Sequence, residues 1–286
     1  MAFTVTTDPG ALAASSAQAI CAAMQSVRDG RVYDLGVELG NETPRLAGNL
    51  VAPFSIAQFR TPDSFSNDES MQGNSFSVEV IQGSLHQSSH LDSFIHAQRF
   101  GRVFGGNRFE NLLSESGWHA FGAETIPPIV TRGVVIDASI SVRVDPVPDG
   151  YAISAEQLEQ AVRAQNLELR KGDTVLIRTG KIAQYATNRS AFEAGCPGIS
   201  GEAARWLIER GMTVFGIDAT SADPQPVPNW HDTVHEELLV KRGIHIIENV
   251  YLEDLVRKNV REFAFICLPI KMQGATGSWV RPIALT

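Results

Sequence analysis

Cysteine is scarce in this chain and poorly placed for any covalent framework, since Cys21, Cys196 and Cys267 are odd in number and widely separated. That spacing excludes a disulfide scaffold, and the lack of any Cys-x-x-Cys pair excludes a thiolate zinc site. A reducing, cytoplasmic setting is the expectation. Basic residues are also in deficit, 24 against 32 acidic ones for a formal charge of -8. With no Lys/Arg cluster to neutralise a run of phosphates, nucleic acid is not an expected partner. Long apolar runs are missing as well, so no segment reads as membrane-spanning. The apolar stretch from Ala11 to Met24 follows an acidic residue, Asp8, and no basic one, unlike a signal peptide. Gly105-Gly106 lacks the Lys and Ser/Thr of a phosphate loop, no G-x-G-x-x-G follows a strand, and a nucleotide cofactor has no support. Ser221 has no nucleophile-elbow context that would make it one member of a Ser/His/Asp triad.

What remains is an ordinary globular composition, 43% hydrophobic over 286 residues, enough for one large domain. Asp8, Pro9 and Gly30 bracket an N-terminal helix whose Ile20, Met24 and Val27 form an apolar stripe, able to cover the domain's own sheet or a partner subunit. Leu35, Val37 and Leu39, then Phe76, Val78 and Val80, alternate as half-buried strands should. Between them, Asn41 to Gly73 is a long polar segment carrying Phe54, Phe59 and Phe65, which suits a folded lid or wall. Ser154 with Gln157 forms a capping box for a helix to about Arg163, Thr174 to Arg178 reads as a buried strand, Ser200 caps a helix that Gly211 stops, and Thr213 to Ile217 is again strand-like. The alternation predicts an α/β fold with a mixed sheet in a single domain, residues 31–286, preceded by a helical segment, residues 1–30.

The densest chemical signal lies in eleven consecutive residues. His86-Gln87-Ser88-Ser89-His90-Leu91-Asp92-Ser93-Phe94-Ile95-His96 holds three of the seven histidines and a carboxylate. Imidazole and carboxylate are the ligands that divalent transition metals take, and core packing does not call for such a cluster. On a helix His86 and His90 would share a face while Asp92 pointed away. On a strand or irregular loop His90 and Asp92 fall on one side at period two, and flanking turns can return His86 and His96 to the same ion.

This cluster resembles the H-x-G-T-H-x-D-x-P-x-H pattern of the cyclase family of metal-dependent hydrolases, which includes kynurenine formamidases, isatin hydrolases and trans-dienelactone hydrolases. His86, His90, Asp92 and His96 are all in register. Ser88 and Ser89 stand where the family has Gly and Thr, keeping the loop small and polar. Phe94 replaces a common Pro, which frees a backbone N–H and is expected to bring an aromatic ring near the metal and reshape the substrate pocket. The similarity continues through Arg132 to Asp137, the G-I-D-x-x-S-x-D segment from Gly216 to Asp223, the H-x-x-L-L match at His235, the I-I-E-N match ending at Glu248-Asn249, and closing segments around Leu268 to Lys271 and Arg281 to Ala284. It implies a swivelling β/β/α fold, a bound Zn²⁺ or Mn²⁺, and a homodimer or homotetramer.

Residues outside the cluster divide by context. His231 and His235 at i, i+4 could share a helix face, and the family pattern favours His235. Glu248 ends a buried-looking strand, where a lone carboxylate needs compensation from a metal, a histidine or an Arg. Asp218 and Asp223 read as strand-end and turn residues stabilising the loop toward Pro224, and His119 and His245 as surface or internally satisfied residues.

The expected activity is hydrolysis of an amide, lactam or lactone in a small ring-containing substrate. His86, His90 and Asp92 would hold an ion that polarises the carbonyl and acidifies water to a pKa of about 7. His96, as general base or ligand to a second ion, would act with His235 and Glu248, which line the far wall and can shuttle a proton or join that second ion. Two other readings use the same residues: a non-haem Fe(II) oxygenase with His90, Asp92 and His235 as its triad, and a non-catalytic metal-stabilised binding protein whose Phe-bearing loop clamps the ligand.

Overall fold

A computed structural model describes residues 8–14, 16–46 and 51–286. Its centre is one nine-stranded sheet made of β1 (Val32–Asp34), β2 (His90–Asp92), β3 (Ile129–Asp137), β4 (Thr174–Arg178), β5 (Val214–Ile217), β6 (His245–Glu248), β7 (Glu262–Cys267), β8 (Gly277–Trp279) and β9 (Ile283–Leu285). The spatial order is β1-β9-β7-β3-β4-β5-β6-β2-β8. Strands β3 to β6 run parallel, and the strands flanking them on both sides pair antiparallel. The parallel block is apolar on both faces, as a sheet covered on both sides must be. Val134, Ile136, Val175, Ile177, Phe215 and Ile217 face one core, while Val135, Leu176, Val214 and Ile247 face the other.

The helices α2 (Ala155–Ala164) and α3 (Gly201–Glu209) bury Leu158, Ala161, Ala203, Ala204 and Leu207 in the first core. Both start as their sequences predict. Ser154 and Gln157 exchange backbone to side-chain hydrogen bonds at 3.2 and 3.0 Å, Ser200 Oγ accepts from Ala203 N, and Gly211 takes the left-handed φ of +83° that follows the stop.

Three expectations are corrected. The N-terminal segment is two short pieces, a 3-10 turn at Gly10–Ala14 and a helix, α1 (Ala17–Met24), capped by Ser16 rather than Asp8. Its covered position is Ala23, with Met24 40% exposed, and the helix lies against β3 and β7 of its own sheet. The first strand sits at Val32–Asp34, not on Leu35, Val37 and Leu39, because the Val37 N–H bonds to the Ser89 hydroxyl instead of a neighbouring strand. The second, Val78–Gln82, pairs with Ser55–Arg60 in a separate two-stranded ribbon that is exposed along its whole length instead of half-buried. Of the Asn41 to Gly73 segment, positions 47–50 lie outside the described residues. Phe54 from the same segment is buried edge-on against Trp279, 5.5 Å between ring centres, whereas Phe59 is exposed.

Candidate metal centre

The site forms where the parallel block meets its first antiparallel neighbour, beyond the C-terminal ends of β5 and β6, which is where open α/β sheets usually bind ligands. In register, Glu248 at the end of β6 sits directly opposite His90 on β2. The pleat of β2 sends Leu91 into the second core and His90 and Asp92 to the other face. A turn closed by His96 N to Ser93 O at 3.1 Å brings His96 back over the cluster. His235 arrives from far along the chain on the residue that opens a π-helical turn, Glu236–Val240, the kind of irregular helix often found at functional sites.

All six donors meet around Asp92, whose carboxylate is fully buried. His86 Nδ1 is 2.9 Å from Asp92 Oδ1 and His86 Nε2 is 2.9 Å from Thr276 Oγ1. His86 stacks on His96, 3.9 Å between ring centres. The Nδ1 of His90 is 3.0 Å from the Ser88 carbonyl, an acceptor that sets Nδ1 as the donor and leaves Nε2 facing Glu248 Oε2 at 3.3 Å and Asp92 Oδ1 at 3.7 Å. His235 Nε2 lies 3.6 Å from both Asp92 Oδ2 and Glu248 Oε1, and His96 Nε2 lies 4.0 Å from Asp92 Oδ2. Two donor groups share Asp92, one with His86 and His96 and one with His90 and Glu248, with the ligand atoms of each within 4.8 Å of one another.

These residues fit a divalent metal. Among the described residues Asp92 Oδ2 has no hydrogen-bond partner, although it is buried and two ring nitrogens point at it. Such an orphan is costly, and a cation shared between that oxygen and those nitrogens satisfies it. Electrostatics agree. Burial alone would raise the Asp92 pKa, yet His96, His235 and His86 around it hold the carboxyl well below its usual range. Burial opposes charge on His90 and His235 too, but the facing carboxylates, Glu248 and Asp92 for His90, Asp223 and Asp92 for His235, overcome it and raise both. His96 goes the other way: burial, reinforced by the neighbouring histidines and only partly opposed by Asp92, pushes it down to about 3, so its ring is neutral at physiological pH.

A cavity of about 430 Å³ opens above the cluster, within the range of small-molecule sites. His86, His96, His235 and Glu248 contribute to its lining, as do Leu46, Val51, Val227 and Trp230. Arg99 ties its two sides together, bonding Glu236 at 3.1 Å and the Trp230 carbonyl at 3.1 Å. His231 does not join His235. It is exposed, with Nδ1 3.3 Å from the Arg99 guanidinium. Among the described residues Glu248 has histidines beside it and no Arg, and its Oε1 also accepts from Ala222 N at 2.7 Å. Asp218 is structural, but it holds the turn after β4 rather than the loop toward Pro224, accepting from Thr179 N, Thr179 Oγ1 and Gly180 N. Asp223 is not only a turn residue, because its carboxylate reaches His235 Nδ1 at 2.6 Å. It lies twelve residues before His235, and only its place in the G-I-D-x-x-S-x-D segment hinted at the site. Thr276, on the far side of His86, had no sequence signal.

Two motif departures have structural answers. Phe94 turns away from the cavity, 2% exposed, stacked on His245 at 4.1 Å and packed against Phe104. It therefore shapes the core under the loop rather than the pocket, while the buried His245 sits with its Nδ1 2.8 Å from the Asp92 carbonyl. Ser88 has φ of +56°, a left-handed conformation natural to glycine, and offsets that strain by donating to the Val37 carbonyl at 2.7 Å. Ser88→Gly should therefore be nearly neutral, within about 1 kcal/mol, as relief of roughly 1 kcal/mol of strain cancels a hydrogen bond of similar worth. Ser88→Val, which keeps the strain and loses the bond, should cost at least about 2 kcal/mol. Urea titration of the two variants checks the order.

Comparisons with known proteins identify relatives of the chain. The chain matches the Putative cyclase family model over residues 33–224, and it belongs to that family. It is 31% identical over 252 residues to a kynurenine formamidase of Bacillus cereus, spanning 87% of this chain and 95% of that protein. A kynurenine formamidase of Bordetella petrii is 30% identical over 72% of this chain and 79% of its own. Among solved structures, a novel cyclase superposes with a TM-score of 0.84 at 25% identity, covering 97% of this chain and 96% of that one. Isatin hydrolase A from Labrenzia aggregata shares the fold, with a TM-score of 0.69 at 21% identity over 90% and 93% of the two chains.

Proposed function

We propose that this metal-dependent hydrolase opens an amide, lactam or lactone bond in a small ring-containing substrate. The observation that carries the reading is the convergence of His86, His90, Asp92, His96, His235 and Glu248 at the floor of one cavity. The similarity to kynurenine formamidases favours an amide carbonyl. His86, His90 and Asp92 would hold a Zn²⁺ or Mn²⁺, with Glu248, His96 and His235 available to complete its shell or that of a second ion. When bound, such an ion supplies Lewis-acid polarisation of the carbonyl and lowers the pKa of water in the site.

The chain's own residues do the rest. His96, partly exposed to the cavity and beside Asp92, accepts a proton from water at Nε2. His235, opposite it, returns a proton to the departing nitrogen or oxygen, and Glu248, anchored by the Ala222 amide, holds the His90 and His235 rings in place. Leu46, Val51, Val227 and Trp230 offer apolar surface to the substrate ring. The oxygenase reading would employ only His90, Asp92 and His235 and leave His86, His96 and Glu248 without a task.

Screening zinc-loaded and manganese-loaded protein against N-formylkynurenine, isatin, simple lactones and cyclic imides should find turnover of at least one carbonyl. Tight metal binding with no turnover of any would contradict the reading and support a binding protein. A homodimer or homotetramer remains the expected assembly, supported by the exposed ribbon with Ile56, Phe59, Val78, Val80 and Ile81 on its surface. Sedimentation at micromolar concentration should therefore show more than the 31.1 kDa of one chain, and a species of monomer mass would contradict it.

A further inference from the structure

We propose that Asp223 is a positioning residue that fixes the tautomer and aim of His235. The two Asp223 oxygens divide their work. Oδ1 accepts from Val234 N at 2.6 Å. Oδ2 accepts from His235 N at 3.3 Å and faces His235 Nδ1 at 2.6 Å. Asp223 is 6% exposed, so water does not compete for these bonds. A carboxylate can only accept, which keeps Nδ1 protonated and makes Nε2 the nitrogen left to meet a cation. Nε2 is the atom aimed between Asp92 Oδ2 and Glu248 Oε1, 3.6 Å from each. The backbone bonds pin the start of the π-helical turn at the same time, so one side chain sets both where His235 stands and which nitrogen it presents. Outer carboxylates of this kind commonly orient metal-binding histidines.

The inference rests on the proposed metal reading, and the test separates the two. Asp223→Asn keeps an oxygen for Val234 N, so one of the two backbone bonds at the start of the turn survives, but it turns an NH₂ toward His235 N and Nδ1. Nδ1 must then accept, and the ring proton moves to Nε2, pointing at the cluster. Calorimetric titration of metal-stripped protein with Zn²⁺ should show binding weakened about 10- to 100-fold in this variant, with helix content and urea midpoint close to the parent. In the zinc-loaded parent, ¹⁵N-histidine NMR should show the His235 proton on Nδ1, with His235→Gln supplying the assignment. Parent-like zinc affinity in Asp223→Asn, or a proton on Nε2 in the parent, overturns the inference while leaving the metal site standing. Absence of zinc binding in the parent overturns both. Should Asp223→Asn fail to fold, the NMR result on the parent decides alone.

Discussion

Asp92→Ala is expected to strip the protein of its metal and to lower kcat/KM by about 10³-fold or more, because Lewis-acid polarisation is worth several kcal/mol and each ~1.4 kcal/mol is tenfold in rate. The size of the effect follows from position. Asp92 belongs to both donor groups, and His86, His96, His90 and His235 all have a ring nitrogen within 4.0 Å of its carboxylate. Removing it leaves four imidazoles with no negative charge at their centre. His90→Ala should lose metal as well, since it takes away the imidazole directly opposite Glu248 on the paired strands. Elemental analysis of the purified variants, read beside turnover, checks both. Full metal content in Asp92→Ala would show that the ion sits elsewhere.

The second large effect is expected at the far wall. His235→Ala and Glu248→Gln should keep a folded structure and at least one ion, because His86, His90 and Asp92 remain on the β2 side of the site. Turnover should still fall by about 10²-fold or more in each, the usual worth of a positioned acid or base, because His235 is the proton donor and Glu248 holds its ring in line. His231→Ala is the matched control. It changes a histidine four residues away that is exposed and touches Arg99 rather than the cluster, so it should cost much less. Equal small effects from all three substitutions would contradict the roles assigned to His235 and Glu248.

The His86 to His96 segment could be read early because its signal is local. The pleat puts His90 and Asp92 on one face whatever the rest of the chain does, and six residues suffice to return His96. Capped helices such as Ser154 onward and apolar strands such as Thr174 to Arg178 were legible for the same reason. Asp223 was not, because its partner is set by tertiary packing: as a sequence feature it is an acidic residue before a proline, and a turn is the ordinary meaning of that. Phe94 misled for a related reason. Its distance from His90 along the chain says nothing about which side of the backbone the ring takes, and the pleat with the following turn sends it toward His245 and Phe104. The Val78–Gln82 ribbon shows the limit of periodicity, since alternation marks a strand but not whether a core lies under it.

Metal content measured together with turnover tests the central claim most directly. Purified protein should carry at least one divalent transition metal per chain, lose hydrolysis of its best amide or lactone substrate when the metal is chelated, and regain it when Zn²⁺ or Mn²⁺ is restored. A metal-free preparation with undiminished turnover would contradict the account.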